Sequence, residues 1–477
     1  MPAKTYDLVV VGGGSAGLVA ARLAAALGAR VALLDRERLG GECLWTGCVP
    51  SKALIAGATA AHQARNLTSF GLSGRLDPVN LGAVMDRVQD VIQAVYRGDD
   101  AEIMGKRGID VRFGEVRFRS TNELTIDGQP LRGRAFLVCT GSSPAVPDIE
   151  GLPESGYLTN ETIFSLRDLP AQLIVAGGGP VGVEMAQAFR RLGSAVTVLT
   201  GERGLLPRED DEIRRAVEDL FGREEIAVRR SKLVGVTRTG DGLRIHYAGQ
   251  TGEGSLKGDR LLLAVGRHPN VEGLGLEQAG VRYDMKQGIV IDRYLRTSVP
   301  HIFACGDVTG PYRFTHAAGS QATTAVRNAL FPWCKSKTDL DPMPWTTFTD
   351  PEVARVGQTE AEARRDQGKV LVLRAEFAHV DRALAEGQAE GFVKLIVTPW
   401  RGKILGGHIV GPRAGELIQE VTLVMRRGLS VRALADTIHV YPTLSMAVQQ
   451  AALGFYGQWP PYRLARPALR ALVCRGR

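Results

Sequence analysis

The residues best suited to chemistry are two cysteines separated by four positions, Cys43 and Cys48. Residues 36–65 are expected to carry this pair on a loop that leads into a helical stretch. They can form a bridge if the backbone turns between them, and Gly47 favours such a turn. Lys52 and a helix N-terminus can stabilise a thiolate, so a bridge here would be redox-active. A zinc site would need four ligands, and the sequence offers no second Cys or His pair at a suitable spacing. A structural disulfide fits poorly with the cytosolic location expected for this chain.

Two stretches of the chain share one pattern: an apolar run, a Gly-x-Gly-x-x-Gly turn, an alanine-rich helical segment and a second apolar run. The two turns lie about 165 residues apart, which is too far for a solenoid repeat. The pattern therefore predicts two separate dinucleotide-binding units. Their glycines are Gly12, Gly14 and Gly17 in the first unit and Gly177, Gly179 and Gly182 in the second.

The two units differ after the glycines. In each, the first glycine permits the tight turn, the second leaves room for a pyrophosphate and the third lets helix and strand pack closely. Asp35 ends the second apolar run of the first unit, where a carboxylate can accept hydrogen bonds from both ribose hydroxyls. In the second unit that run ends at Thr200, and Arg203 and Arg208 follow. This favours a 2′-phosphate and hence NADP, although Glu202 could bind a ribose diol and leaves NAD open.

Two dinucleotide sites favour one tightly held and one exchangeable nucleotide. We expect these nucleotides to be a flavin and a nicotinamide, because hydride can pass from one ring to the other. The net charge of +8 fits anionic cofactors and, without a nucleic-acid motif, is weak evidence for nucleic-acid binding. No window has the ~20 uninterrupted apolar residues of a membrane span, and the N-terminus lacks an export signal. We expect a cytoplasmic protein that binds FAD and NADP or NAD, with neither a membrane span nor a nucleic-acid partner.

Further motifs carry a resemblance to a known family. The Gly-Gly-x-Cys-x4-Cys-x-Pro-Ser-Lys segment, following a first Gly-x-Gly-x-x-Gly, resembles the class I pyridine nucleotide–disulfide oxidoreductases. That family includes dihydrolipoamide dehydrogenase, glutathione reductase and mercuric reductase. The resemblance covers about residues 5–455, and four later stretches follow in the family's order: Thr140–Pro144, Leu262–Asn270, Thr297–Val308 and Phe348–Gly357.

The resemblance implies an α/β fold with two Rossmann-like domains, for FAD and NAD(P), and a C-terminal α+β dimerisation domain. It implies a homodimer in which electrons from NAD(P)H pass through FAD to a Cys43–Cys48 disulfide. A small-molecule or metal-ion acceptor then receives them. The expected boundaries are 1–145 and 268–335 for the discontinuous FAD domain, 146–267 for the NAD(P) domain, 341–460 for the dimerisation domain and 461–477 for a basic tail.

The resemblance also implies roles for individual residues. Cys48 would face the flavin as the charge-transfer thiolate, and Cys43 would be the outer, substrate-facing thiol. Lys52 would lie beside the flavin ring with Glu184 as its acidic partner, a pair that stabilises negative charge on the ring. The other expected nucleotide contacts are Thr140, Gly141, Gly266 and, at the ribityl chain, Asp307.

One family motif is altered in this sequence. Disulfide reductases of the family carry His-Pro-Thr-x-Ser-Glu near the C-terminus; that His serves the other subunit's dithiol as acid–base group, and the Glu orients it. Here Tyr441 replaces the His and Met446 replaces the Glu. Tyrosine, with a reference pKa of about 10, is a poor proton shuttle at neutral pH. His439 shares a face with Tyr441 in an extended segment and could substitute, but a packed histidine is the preferred interpretation.

Mercuric reductases similarly have an aromatic residue and a Met at these places, and a soft metal ion needs thiolates rather than acid–base help. We therefore predict a mercuric reductase-like enzyme, completed by Tyr441 of the second subunit. Two features of that subfamily are missing, an N-terminal Cys-x-x-Cys domain and a C-terminal vicinal cysteine pair. The alternatives are a dihydrolipoamide dehydrogenase-type dithiol reductase, a quinone or other acceptor reductase, and a flavoprotein subunit without catalytic activity.

The remaining cysteines suggest little chemistry. Cys139, Cys305 and Cys334 are interpreted as buried or incidental thiols. Cys474 could act as a single delivery thiol near the C-terminus. The Arg-rich tail around it has an amphipathic pattern, but a disordered basic tail is the preferred interpretation.

Overall fold

The computed structural model describes residues 5–240, 242–250 and 252–462. Its first three elements alternate as strand, helix and strand, and a run of helices and then a run of strands follow. The strands are β1 (Thr5–Val11), β2 (Val31–Asp35), β3 (Ile109–Phe113), β4 (Val116–Phe118), β5 (Glu123–Ile126), β6 (Gln129–Val138) and β7 (Ser142–Pro144). The helices are α1 (Ser15–Ala26), α2 (Gly41–Trp45), α3 (Cys48–Arg65), α4 (Leu81–Tyr96) and α5 (Ala101–Lys106).

The central part of the chain repeats this alternation and then returns to the first sheet. Its strands are β8 (Gln172–Ala176), β9 (Ala195–Leu199), β10 (Ala227–Arg229), β11 (Ser231–Thr239), β12 (Gly242–Gly249), β13 (Gly252–Gly258), β14 (Arg260–Leu263), β15 (Arg267–Pro269), β16 (Tyr283–Asp284), β17 (Gly288–Ile289) and β18 (Ile302–Ala304). Its helices are α6 (Pro180–Leu192), α7 (Asp211–Arg223) and α8 (Thr315–Leu330).

The C-terminal part contains an antiparallel sheet with helices packed against it. Its strands are β19 (Pro344–Thr347), β20 (Glu352–Gly357), β21 (Leu371–Glu376), β22 (Phe392–Val397) and β23 (Ile404–Gly411). The helices are α9 (Glu360–Gln367), α10 (Asp381–Ala385), α11 (Ala414–Arg426), α12 (Arg432–Asp436) and α13 (Met446–Gln458). The strand order is β19-β20-β23-β22-β21.

The first sheet has a parallel core in the order β3-β2-β1-β6-β18. The long strand β6 pairs with β5 along its first half and with the returning strand β18 along its second half. The middle residues of β1 and β2 are buried on both faces, as expected for strands between two helix layers. Alanines of α1 and α8 share one apolar cluster, so the two helices pack closely on one face of this sheet.

The second dinucleotide unit forms a parallel sheet in the order β10-β9-β8-β14, beside an antiparallel sheet of β11, β12 and β13. Helix α6 begins with Pro180 in its first turn, where the missing N–H costs nothing, and ends before Gly193. Strand β15 then pairs antiparallel with β7, which connects this unit to the end of the first one. Across the ranges that the structure describes, none of the helices is both long and apolar enough to cross a membrane.

One local expectation needs correction. The sequence suggested that the cysteine pair lies on a loop before a helical stretch. Instead Cys43 lies inside the short helix α2, and Cys48 is the first residue of α3. Glycines make this arrangement possible, because Gly40 and Gly41 both have positive φ at the start of α2. Residues 463–477, with Cys474 and the predicted basic tail, lie outside the described residues.

Candidate active site

The first glycine turn leaves a space next to Gly14 that other protein atoms do not fill. A Cβ on Gly17 would come within 1.8 Å of the backbone oxygen of Gly12, so Gly17 is required for the close packing of helix and strand. A Cβ on Gly14, by contrast, would be 3.7 Å from its nearest neighbour, a normal contact. The space above Gly14 is therefore available to a ligand, which fits the pyrophosphate of a bound dinucleotide.

The carboxylate of Asp35 is held in place at the end of β2. Its Oδ2 accepts a hydrogen bond of 2.6 Å from the backbone N–H of Gly13, and its Oδ1 accepts bonds from the N–H groups of Glu37 and Arg38. These bonds fix the carboxylate at the carboxyl edge of the parallel sheet, where such folds bind ligands. The geometry fits the predicted ribose contact.

The ends of β6 and β18 position the other predicted contacts of the first nucleotide. Thr140 and Asn270 bond each other: the Thr140 hydroxyl donates to the Asn270 backbone oxygen at 2.7 Å, and the Asn270 amide donates to the Thr140 oxygen. Gly141 follows with a φ of +72°. The hydroxyl of Ser142 donates to Asp307 Oδ2 at 2.7 Å, which leaves the other carboxylate oxygen for a ligand.

The second glycine turn has the same geometry, but the loop that follows the second strand of its unit is different. A Cβ on Gly182 would lie 2.0 Å from the oxygen of Gly177, whereas a Cβ on Gly179 would meet nothing within 4 Å. Gly179 thus occupies the position of Gly14. The hydroxyl of Thr200 donates to the backbone oxygen of Gly204 at 2.7 Å, so it shapes the loop after β9. Arg203 and Arg208 are exposed on this loop.

A single cavity of about 3530 Å³ connects the two units. It is several times larger than a typical small-ligand pocket of about 300–1,000 Å³. All the predicted nucleotide contacts except Gly17 and Gly182 line it, and those two glycines serve helix packing. The lining includes Gly12, Gly14, Asp35, Thr140, Gly141 and Asp307 on one side, and Gly177, Gly179, Arg203, Arg208 and Gly266 on the other.

The two cysteines of the predicted redox pair meet in this cavity as free thiols. The hydroxyl of Thr315, at the start of α8, lies 3.2 Å from Cys43 Sγ and 3.4 Å from Cys48 Sγ. The hydrogen bond from Cys48 lowers the pKa of the Cys43 thiol to about 6, and the same contact raises the pKa of Cys48. The contact between the two sulfurs thus makes Cys43 the more acidic thiol of the pair. The assignment of the charge-transfer thiolate to Cys48 concerns the flavin-bound enzyme and stays a prediction.

Lys52 and Glu184 form an ion pair beside the dithiol. Lys52 Nζ lies 2.8 Å from Glu184 Oε2 and 4.3 Å from the centre of the Phe348 ring. The other oxygen of Glu184 accepts a hydrogen bond of 2.9 Å from the backbone N–H of Phe348. The structure therefore brings together the two residues that the sequence predicted as a pair, with α3 supplying one and α6 the other.

A buried network connects the cysteine segment to the second unit. Arg267 donates to both carboxylate oxygens of Glu42, at 2.6 Å to Oε1, and to the side chain and backbone of Ser142. Asn160 also donates to Glu42 Oε1. Burial raises the pKa of Glu42, and the Arg267 charge opposes that effect. Glu42 immediately precedes Cys43, so this network fixes the position of the outer cysteine.

Sequence reasoning missed two cavity residues. Thr315 contacts both cysteines although it lies more than 260 positions later in the chain. Glu209 is buried, and its Oε1 accepts a hydrogen bond of 2.6 Å from Trp345 Nε1, while its Oε2 has no partner among the described residues. Burial raises the pKa of Glu209. Neither Thr315 nor Glu209 belongs to a local motif, so the residue type was the one signal in the sequence that could have indicated a role in the site.

Within one chain, Tyr441 does not line the cavity that contains the dithiol. Its hydroxyl donates to Asp381 Oδ2 at 2.7 Å, which raises its pKa further, and 67% of the residue is exposed. The ring of His439 is occupied: Nδ1 lies 2.9 Å from the Thr437 oxygen and Nε2 lies 3.1 Å from Glu420 Oε2. Both nitrogens of His439 have partners, as expected of a packed histidine.

Two family models match the chain. The pyridine nucleotide-disulphide oxidoreductase model matches residues 6–326, and its dimerisation-domain model matches residues 343–452. The chain belongs to the pyridine nucleotide-disulphide oxidoreductase family. The resemblance, the α/β fold class and the dependence on FAD with NAD(P)H as donor are thereby confirmed. The dimerisation model supports a homodimer.

Relatives with different acceptors are equally similar to this family member. The mercuric reductase of Streptomyces lividans is 35% identical over 457 residues, covering 94% of this chain and 96% of the relative. The dihydrolipoyl dehydrogenase of Thermus scotoductus is 35% identical over 467 residues, covering 95% and 98%. The solved HOCl-induced flavoprotein disulfide reductase RclA of Escherichia coli has a TM-score of 0.85 at 28% identity, covering 94% and 99%. The comparisons establish the family and leave the acceptor open.

Proposed function

We propose that this enzyme transfers electrons from NAD(P)H through FAD and the Cys43–Cys48 dithiol to a soft metal ion, as a mercuric reductase does. The observation that carries the proposal is the pKa of about 6 at Cys43, combined with Tyr441 and Met446 at the places of the acid–base pair. A thiolate binds a soft ion directly. No proton has to be delivered to a leaving sulfur, so the missing His–Glu pair is not needed.

The overall reaction balances without a further reactant: NAD(P)H and Hg²⁺ give NAD(P)⁺, H⁺ and Hg⁰. When bound, FAD supplies the two-electron connection between the nicotinamide and the dithiol. Cys43 and Cys48 hold the ion as two thiolate ligands, and Thr315 donates a hydrogen bond to either sulfur. The Lys52–Glu184 pair places a fixed positive charge where negative charge develops.

The dihydrolipoyl dehydrogenase alternative rests on the equal identity to that relative. It would need an acid–base group in place of the missing histidine. His439 is the nearest candidate in sequence, but both of its ring nitrogens are engaged, by Thr437 and Glu420. Because both ring nitrogens of His439 already have hydrogen-bond partners, a metal ion is favoured over a disulfide as the substrate.

We also propose that the second subunit closes the site with its Tyr441. The segment around Tyr441 exposes apolar side chains that a partner would cover, since 95% of Ile438 and 74% of Val440 are accessible. Tyr441→Phe should therefore change the KM for the acceptor and leave flavin reduction by NADPH unaltered. An unchanged KM would place Tyr441 outside the site.

NADPH is proposed as the preferred donor because Arg203 and Arg208 line the cavity beyond Thr200. Replacement of both by Ala should raise the KM for NADPH about tenfold or more and leave the KM for NADH within about twofold. Equal effects on both donors would show that the arginines do not bind a 2′-phosphate. The experiment is independent of the acceptor, because flavin reduction alone can be measured.

The acceptor is tested with Hg²⁺, Cu²⁺, lipoamide, glutathione disulfide and a quinone, each with NADPH and NADH. We expect Hg²⁺-dependent NADPH oxidation that Cys43→Ser abolishes. Cys334→Ser, which removes an exposed thiol remote from the motif, is the matched control and should retain full activity. Hg²⁺ turnover equal in Cys43→Ser and the parent enzyme, or faster turnover of lipoamide than of Hg²⁺, would refute the metal-ion assignment.

A further inference from the structure

A second pair of cysteines comes together in the core, away from the predicted redox pair. Cys139 Sγ and Cys305 Sγ lie 3.5 Å apart, and both residues are buried. They are 166 positions apart in the chain, so no sequence motif indicates the contact. The sequence interpretation of Cys139 and Cys305 as buried or incidental thiols is confirmed as to their burial, and the fold additionally makes them neighbours.

The contact results from the parallel pairing of β6 and β18. Ala304 lies opposite Val138, and the N–H of Cys305 donates to the Val138 oxygen at 3.1 Å, so the two cysteines follow in register. Neighbouring strands lie about 4.8 Å apart. A disulfide accepts Cα atoms about 4.4–6.8 Å apart. A bond between these sulfurs therefore needs side-chain rotation and little movement of the backbone.

The pair also lies directly beside the predicted flavin contacts. Cys139 precedes Thr140 and Gly141, and Cys305 precedes Gly306 and Asp307. Both cysteines line the cavity together with those residues. The backbone oxygen of Cys139 additionally lies against the first glycine turn, where a Cβ on Gly12 would approach it to 2.4 Å. A cofactor held by this turn would therefore cover the part of the cavity that Cys139 and Cys305 line.

We propose that Cys139 and Cys305 are a second dithiol–disulfide pair, which bound FAD shields and which a two-electron thiol oxidant closes when the cofactor is lost. With hydrogen peroxide as the oxidant, the two S–H bonds and the O–O bond break, one S–S bond forms, and two electrons and two protons convert the peroxide to two waters. The new bond crosslinks the strand ends that carry the flavin contacts.

The environment of the pair explains why FAD would control its oxidation. Burial raises the pKa of Cys139, so this thiol is protonated at neutral pH. Neutral thiols react slowly, and buried ones are reached only through the cavity. Cys43 differs in both respects, since its pKa is about 6 and it belongs to a pair exposed to the cavity. The two pairs should therefore oxidise under different conditions.

The test compares the full-length holoenzyme with the same protein after removal of FAD. Each is treated with diamide, which is reduced to the hydrazine as the disulfide forms, then alkylated, digested with trypsin and mapped without reductant. Cys139 and Cys305 fall on separate peptides, 135–167 and 297–313, whereas Cys43 and Cys48 share peptide 39–52. A linked 135–167/297–313 product is therefore unambiguous.

We expect the linked peptides to form at least about tenfold faster in the FAD-free protein than in the holoenzyme. Rebinding of FAD before diamide should restore protection, which shows that the FAD-free protein has kept its fold. Cys305→Ala should remove the linked product, and Cys334→Ser should not. Equal rates with and without FAD, or a linked product that appears only in denaturant, would overturn the proposal.

Discussion

The two cysteine pairs of this enzyme contain the same chemical group in opposite surroundings. Cys43 lies in the short helix α2 and Cys48 at the start of α3, both open to the cavity, with the Thr315 hydroxyl within hydrogen-bond distance of both sulfurs. Cys139 and Cys305 lie at the ends of two buried strands, and each has the other sulfur as its polar side-chain contact. The pKa of Cys43 is lowered to about 6, whereas burial raises that of Cys139.

The comparison shows that the reactivity of a thiol in this protein depends on nearby hydrogen-bond donors and on access from the cavity. The presence of two adjacent thiols is not sufficient. A thiolate needs hydrogen-bond donors or positive charge around it. The first pair has a hydroxyl nearby and Lys52, whose charge acts on Cys48. The second pair lacks such groups in the contacts described above. Four comparisons between variants separate the contributions of chemistry and packing.

The largest difference is expected between Cys48→Ala and Cys305→Ala. Removal of Cys48 eliminates the dithiol, so turnover with the acceptor should fall by about 10³-fold or more. Cys305→Ala should lower the turnover of FAD-saturated enzyme by less than about threefold. Steady-state NADPH oxidation measures both. Losses of the same order in the two variants would show that the second pair also carries electrons.

Lys52→Ala should have the next largest effect. It removes the positive charge beside the dithiol and leaves the buried carboxylate of Glu184 without its partner. We expect flavin reduction by NADPH, followed by stopped-flow absorbance, to slow by about a hundredfold. Lys52→Arg keeps the charge and should recover part of the rate. A rate in Lys52→Ala within twofold of the parent would contradict this role.

Thr315→Val should show whether the Thr315 hydroxyl makes the Cys43–Cys48 pair more reactive than the Cys139–Cys305 pair. Loss of a hydrogen bond of about 1–1.5 kcal/mol raises the pKa of Cys43 and should slow its alkylation about three- to sevenfold at pH 6. In the parent, the alkylation rate of reduced enzyme should rise with pH and reach half its maximum near pH 6, where the Cys43 thiolate becomes the major form. Thr315→Ser retains the hydroxyl and should keep this profile. Superimposable profiles for Val and Ser would exclude the hydrogen bond as the cause.

The smallest effect is expected in stability. Cys139→Ala removes a fully packed sulfur and should cost about 1 kcal/mol, seen as a fall of about 2 °C in the thermal midpoint of the holoenzyme. Cys43→Ala, at an accessible site, should leave the midpoint within about 1 °C. A larger fall in Cys43→Ala than in Cys139→Ala would reverse the distinction between a chemical and a packing role.

The sequence predicted those parts of the site that are local in the chain. The glycine turns, Asp35 and the Cys43–Cys48 spacing are short motifs whose geometry follows from neighbouring residues. Lys52 and Glu184 were paired only through the family resemblance, since they lie 132 positions apart. The structure places them 2.8 Å apart.

Contacts that depend on how distant strands and helices pack could not be predicted in this way. Thr315 meets the cysteines because α8 packs on α1 and so begins at the dithiol. Cys139 meets Cys305 because β18 returns to the edge of β6. The hydrogen bond between Cys43 and Cys48 that lowers the pKa of Cys43 likewise depends on side-chain positions rather than on spacing.

The contacts of Arg267 limit where the junctions of a chimeric enzyme can be placed. One guanidinium holds the carboxylate that precedes Cys43 and the Ser142 side chain that bonds Asp307. A chimera that exchanges the nicotinamide-binding segment for that of a relative, in order to change the preferred donor, would separate these partners if its junction fell before Arg267. Junctions that keep Glu42, Ser142 and Arg267 from the same parent preserve the alignment of the two halves.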